Sequence, residues 1–163
     1  MKILPIDGGD AATIEAGARV IRESYAQEAV LLGLTEESFP AHPAFCGGQW
    51  LTTTLAAKNA RVFGAYEEDG EMVGLLLLRA LPKGQLETLR LCVVPQARAG
   101  GYGVRLHEHA LFCARALRCG IMVATTADSA DASRWCLRAG YEKKGSLSMA
   151  GLPYKLAFWE QPI

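Results

Sequence analysis

Residues Val93 to Val104 read V-V-P-Q-A-R-A-G-G-Y-G-V, which sets one basic side chain and three glycines between an apolar strand and an amphipathic helix. Such residues at such spacing can cradle an anionic phosphate. Gly100, Gly101 and Gly103 carry no Cβ, so the backbone can reach φ > 0 and come close to a ligand. The N–H groups of the next helix's first turn have no partner within that helix and point toward the same place. Arg98 puts a fixed positive charge at the mouth, and Pro95 stops the strand by removing a ladder donor. A tight strand-to-helix connection without a ligand is the alternative. The spacing Arg98-x-x-Gly101-x-Gly103 is not the dinucleotide fingerprint, because Leu106 stands where its third glycine would fall. A nucleotide-triphosphatase loop is also excluded, since no Gly-Lys-Ser/Thr follows.

The surrounding elements must hold that loop. Lys2 to Ile6 reads as a first strand, and Asp10 as the cap of a helix whose Ile14, Ala18, Ile21 and Tyr25 recur at helical spacing to about Leu32. Gly33 to Gly48 combines two prolines and a glycine pair with Leu34, Phe39 and Phe45, an apolar content that predicts an ordered loop. A short helix over about Gln49 to Lys58 follows. Arg61 to Glu67 and Met72 to Leu81 flank an Asp69-Gly70 hairpin signal, and the second run is apolar on both faces, as a central strand requires. After Pro82-Lys83-Gly84 comes the strand that ends in the glycine loop. A helix from Gly103 to about Arg118 then places Leu106, Ala110, Cys113 and Leu117 on one stripe, with Gly120 as its stop. Ile121 to Thr125 forms a strand parallel to the one before the loop. The last elements are a helix over about Ser129 to Ala139 closed by Gly140, and strands over Tyr141 to Leu147 and Tyr154 to Glu160.

The loop resembles the R/Q-x-x-G-x-G/A signature of the GNAT superfamily of N-acetyltransferases, and the likeness extends beyond it. Leu86 to Pro95 (L-E-T-L-R-L-C-V-V-P) is similar to that family's fourth strand, and Ser129 to Tyr141 (S-A-D-A-S-R-W-C-L-R-A-G-Y) to its N-x-x-A-x-x-L-Y-x-x-x-G-F segment. The resemblance implies an α/β mixed-sheet fold of the acyl-CoA N-acyltransferase type, ordered β-α-α-β-β-β-α-β-α-β-β, in a single domain over residues 1–163. Acetyl-CoA is then the cosubstrate, with its pyrophosphate on Arg98, Ala99, Gly100, Gly101, Tyr102, Gly103 and Val104. Its pantetheine arm would pair with the backbone of Leu91, Cys92 and Val93, and Ser129 and Trp135 would complete the coenzyme site. A narrower likeness, carried by Leu34 to Phe45, Arg134 to Tyr141 and Leu152 to Glu160, is to a bacterial subgroup and implies no acceptor.

Transfer to an alkyl amine requires its deprotonation, which at pH 7 costs about 4 to 5 kcal/mol for a pKa of about 10.4. Family members often use a strand carboxylate as base, which points to Glu87; a solvated or ion-paired strand carboxylate is the alternative. The family's Tyr, a general acid, falls on Cys136, and its Asn on Ser129. Cys136 either donates weakly or packs, and a covalent acetyl-Cys route lacks a recognisable His partner. A leaving thiol of pKa about 8.5 departs tolerably without protonation. His42, Phe45, Trp50 and Tyr154 are candidates for the acceptor side, with aromatic packing as the alternative for each. The leading expectation is direct acetyl transfer to a primary amine of a small molecule or peptide. The alternatives are a coenzyme A-binding module without turnover, and a domain that kept only the fold.

Composition narrows the classes further. Lys plus Arg and Asp plus Glu number 17 each, so no net field points to nucleic acid or an anionic membrane as partner. With 50% hydrophobic content, the 163 residues suffice for one well-buried core. No spanning or signal segment is read, so a cytoplasmic location is expected. Cysteines 46, 92, 113, 119 and 136 show no metal spacing, and His107 and His109 lie on different helix faces, so no metal is expected. Family members often dimerise, which leaves a homodimer open.

Overall fold

A computed structural model of the protein describes residues 1–163. Its elements follow the order β1 (Lys2–Pro5), α1 (Ala11–Leu31), α2 (Gly48–Leu55), β2 (Ala60–Tyr66), β3 (Met72–Leu81), β4 (Gln85–Val93), α3 (Tyr102–Ala116), β5 (Ile121–Ala127), α4 (Ala130–Ala139), β6 (Glu142–Leu147) and β7 (Leu156–Pro162). The strands bond in the order β1-β2-β3-β4-β5-β7-β6, with β4 and β5 parallel and β1/β2, β5/β7 and β6/β7 antiparallel. This is the expected α/β element order and mixed sheet. Internal contacts group the chain into two compact units, one of Met1–Leu77 with Arg90–Leu106 and one of Leu78–Leu89 with His107–Ile163.

In the first unit the Asp10 carboxylate accepts from the N–H groups of Ala12 and Thr13, satisfying donors that α1 leaves open at its start. Ile14, Ala18 and Ile21 form the buried stripe of α1, and Leu51 of α2 is fully buried. The apolar run of β3 is buried from Met72 through Leu77 on both faces, as its pattern requires. The segment between α1 and α2 is ordered by specific bonds. The Arg22 guanidinium donates to the Cys46 carbonyl at 2.9 Å, and His42 caps a 3-10 turn over Pro43–Phe45. The second helix ends at Leu55, short of the expected Lys58.

In the second unit the β4–β5 register runs from Gln85 opposite Ile121 to Thr88 opposite Ala124, and β4 continues past it through Val93. Leu86, Met122, Ala157 and Trp159 fill the interior, and the Trp159 indole N–H donates to Thr126 Oγ1 at 3.0 Å. The end of α3 corrects the sequence reading. Arg118 takes the left-handed conformation (φ 56), and the N–H groups of Arg118 and Cys119 bond back to the carbonyls of Arg115 and Ala114. That is a Schellman closure with arginine at the position glycine usually holds, so the helix stops before Gly120. Leu117 falls beyond the last turn and is 42% exposed instead of continuing the buried stripe. Gly140 does close α4 as expected, at φ 94, with the Tyr141 N–H bonded to the Cys136 carbonyl.

Candidate active site

Strand β4 delivers the chain to the glycine loop, where the Val94 N–H bonds to the Val73 carbonyl and a 3-10 turn covers Pro95–Gly100. Gly101 then takes φ 75, ψ 8, and α3 begins at Tyr102, one residue earlier than expected. Of the three glycines only Gly101 is left-handed. A Cβ at Gly101 would meet nothing within 4 Å, so the backbone angle and not space demands glycine there. At Gly100 the demand is space, since a Cβ would lie 2.8 Å from the Tyr102 ring. Gly103 sits inside the first turn of α3.

The first bond of the helical ladder runs from the Arg105 N–H to the Gly101 carbonyl, which leaves the N–H groups of Tyr102, Gly103 and Val104 ahead of it. Ala99, Gly100, Gly101 and Val104 are exposed at this end. Exposed donors, a helix N-terminus of about +0.5 charge and an adjacent guanidinium fit the diphosphate of a coenzyme A thioester. Arg98 does more than supply charge. Its Nε donates to the Val93 carbonyl at 3.2 Å and a terminal nitrogen to the Ser24 carbonyl at 2.8 Å, tying the loop to the end of β4 and to α1. Along β4, Leu91 is half-buried and Cys92 and Val93 are buried, and burial pushes the Cys92 thiol up to about 12.

In the second unit Glu87 is 9% exposed and its Oε2 receives bonds from Arg79 at 2.7 Å. Glu87 is thus ion-paired through this oxygen. Cys136 is 1% exposed, and burial pushes its thiol up to about 11. Ser129 caps the start of α4 through a bond from the Ala132 N–H to its hydroxyl, so that side chain is engaged in capping the helix. Trp135 is half-buried, edge-on to His107 with ring centroids 5.8 Å apart. His107 also lies 5.5 Å from the Tyr141 ring, and the Tyr141 hydroxyl bonds Thr88 Oγ1 at 3.2 Å.

The acceptor candidates separate by surroundings. His42 is 1% exposed, bonded to Glu28 at 3.0 Å and to the Ala44 N–H, and is therefore committed to holding its loop. Phe45 packs 6.1 Å from the His42 ring. Trp50 is 38% exposed and faces Arg90, whose guanidinium carbon is 5.4 Å from its ring centroid and 5.8 Å from that of Tyr25. Tyr154, in the second unit, is half-buried ahead of β7. Sequence reasoning missed Arg79, Tyr25 and Arg90. Arg79 and Glu87 are equidistant from Lys83, the centre of the Pro82–Gly84 turn, so a hairpin count would have set them opposite each other. Tyr25 and Arg90 are brought together from distant parts of the chain, and no local pattern marks them.

The element order and this loop define an acetyltransferase fold. Residues 24–141 match the model of the acetyltransferase (GNAT) family, and the chain belongs to that family. Its members are N-acetyltransferases. Among solved structures, the chain is similar to PaiA N-acetyltransferase from Thermoplasma acidophilum in complex with coenzyme A, at 15% identity over 100% of both chains and a TM-score of 0.79. It also resembles the ribosomal-protein-S18-alanine N-acetyltransferase from Escherichia coli, at 12% identity over 99% of this chain and 93% of that one, with a TM-score of 0.74. Nourseothricin acetyltransferase shares 22% identity over 64% of this chain and 66% of that one, at a TM-score of 0.58. At such identities the likeness is one of fold. No curated protein sequence matches the chain. No helix is long and apolar enough to cross a membrane.

Proposed function

We propose that this protein transfers the acetyl group of acetyl-CoA directly to a primary amine of a small molecule or peptide. The observation that carries the reading is the left-handed Gly101 immediately before α3, with the first-turn N–H groups of Tyr102, Gly103 and Val104 lying ahead of the first bond of the helical ladder. Bound acetyl-CoA supplies an activated acyl group as a thioester. The residues of the loop bind and orient it: Arg98, fixed by two carbonyls, adds positive charge, and the backbone of Leu91 to Val93 offers amide groups to the amide-rich arm.

Glu87 is the base we propose for the amine, acting through water from the strand that leads to the loop. Both Arg79 contacts fall on Oε2, so Oε1 is the oxygen assigned to the proton. Cys136 has no part in the transfer. With its thiol near 11, only about one molecule in 10⁴ carries a thiolate at pH 7, and the sulfur is enclosed. Coenzyme A leaves as a thiolate without a protein acid. The opposing reading, a coenzyme A-binding module without turnover, rests on Cys136 standing at the family's tyrosine position. Release of free thiol from acetyl-CoA, measured with and without a panel of amines, separates the two.

A further inference from the structure

We propose that Arg79 is a positioning residue for the acetyl transfer, holding Glu87 in the orientation and charge state in which its Oε1 takes the proton of the amine. This rests on the reading of Glu87 as base above and assigns the side chain on which that base depends. Arg79 lies on β3 and Glu87 on the adjacent β4, equidistant from Lys83 in the Pro82–Gly84 turn. Lys83 and Gly84 both take left-handed angles, φ 63 and φ 69, and a turn so defined fixes the register that sets the two side chains opposite each other.

Arg79 Nε donates to Glu87 Oε2 at 2.7 Å, and Nη2 of the same guanidinium lies 2.7 Å from the same oxygen. A fork-to-fork pair would engage both carboxylate oxygens, one per nitrogen. Here both nitrogens converge on Oε2, and Oε1 is left out of the pair. A free glutamate side chain rotates and presents either oxygen, and this contact removes that choice. It also sustains the charge. Glu87 is buried, with Val123 of β5 directly across from it and Glu160 of β7 one strand further, about 10 Å away. Neither of these favours a carboxylate, and a buried carboxyl without a partner shifts toward the neutral acid, which cannot accept a proton. The Arg79 side chain keeps 42% of its surface exposed, so water reaches the edge of the pair and screens the attraction. The carboxylate is thereby kept ionised and aimed without being sealed from solvent.

The test is a double-mutant cycle on kcat, following thiol release from acetyl-CoA with the fastest alkyl amine of a panel. Arg79→Met should lower kcat about 10- to 30-fold, with the KM of the amine and the affinity for coenzyme A kept within about threefold. Arg79→Lys, which can hold Oε2 through its ammonium, should recover part of the loss. Because Arg79 acts through Glu87, the double variant Arg79→Met/Glu87→Gln should be no slower than Glu87→Gln alone, since no base is left to position. The double variant also removes the unpaired charge, so this comparison stands even where Arg79→Met folds poorly. Losses that multiply in the double variant, or an Arg79→Met enzyme at the wild-type rate beside a slow Glu87→Gln, overturn the proposal and leave Glu87 as base. Glu87→Gln at the wild-type rate, or a wild type without amine-dependent thiol release, overturns the base reading and this proposal with it.

Discussion

Gly101 separates the demands of backbone and of ligand, because its φ of 75 is left-handed while the space around its missing Cβ is open. Replacing it with alanine therefore introduces strain but no clash, and a non-glycine residue in this conformation costs about 1 to 2 kcal/mol. Aspartate tolerates the conformation slightly better, so Gly101→Asp should destabilise the fold no more than Gly101→Ala does. Coenzyme affinity should split the two. A carboxylate about 5 Å from one phosphate charge, at an effective dielectric constant of about 20, is repelled by about 3 kcal/mol. Salt near 0.15 M reduces that figure, and the second phosphate charge restores much of it, leaving about 3 kcal/mol or a roughly 10²-fold loss. Calorimetric titration with coenzyme A should show micromolar-range binding in the wild type, less than about fivefold weakening in Gly101→Ala, and roughly 10² or more in Gly101→Asp. The aspartate deficit should shrink as salt is raised. Urea unfolding of both variants checks the strain. A folded Gly101→Asp protein that binds as well as Gly101→Ala would remove the loop from the coenzyme site.

The other expectations concern the second unit. Glu87→Gln should lower kcat by about 10²-fold at neutral pH with coenzyme affinity largely kept, and the deficit should narrow as pH rises and the amine deprotonates unaided; wild-type rates throughout would make the Arg79–Glu87 pair purely structural. Cys136→Ser and Cys136→Ala should stay within about tenfold of the wild-type rate, because a thiol held near 11 is neither acid nor nucleophile at neutral pH. A dead alanine variant together with an acetylated Cys136 seen by mass spectrometry would overturn direct transfer. Burial lowers the His107 pKa, against weaker opposing influences from the Ala139 carbonyl and the Gln161 side chain. The unfolded chain therefore takes up the proton first as pH falls below about 6.5, and stability should drop there by at most about 1.4 kcal/mol per unit. Denaturation midpoints between pH 7.5 and 5.5 should show a shallower slope in His107→Leu, with the part due to His109, whose pKa burial also lowers, remaining. An unchanged slope would mean that His107 titrates alike in both states.

Much of the fold was legible because it is written in local patterns. The Asp10 cap, the apolar run of β3, the Asp69-Gly70 turn and the Gly140 stop each act through near neighbours in sequence, and each is found where periodicity and turn chemistry put it. The exceptions have local physical causes too. Arg118 closes α3 in a conformation that sequence assigns to glycine, which moves Leu117 off the buried stripe. Within the loop, spacing marked three glycines alike, while the structure distinguishes a backbone angle at Gly101 from ring contact at Gly100. Side-chain partnerships across elements were not legible. That Glu87 meets Arg79, that His42 is enclosed against Glu28, and that Arg90 is gripped by Tyr25 and Trp50 all depend on packing that brings separate segments together.

Direct acetyl transfer is tested most simply by incubating the protein with acetyl-CoA and a panel of primary amines, amino acids included, while following free thiol and the mass of the amine product. Thiol release that depends on an amine, matches acetylated product one for one, and falls about 10²-fold in Gly101→Asp at limiting acetyl-CoA is the expected result. Tight coenzyme A binding with no amine-dependent thiol release across the panel would contradict it.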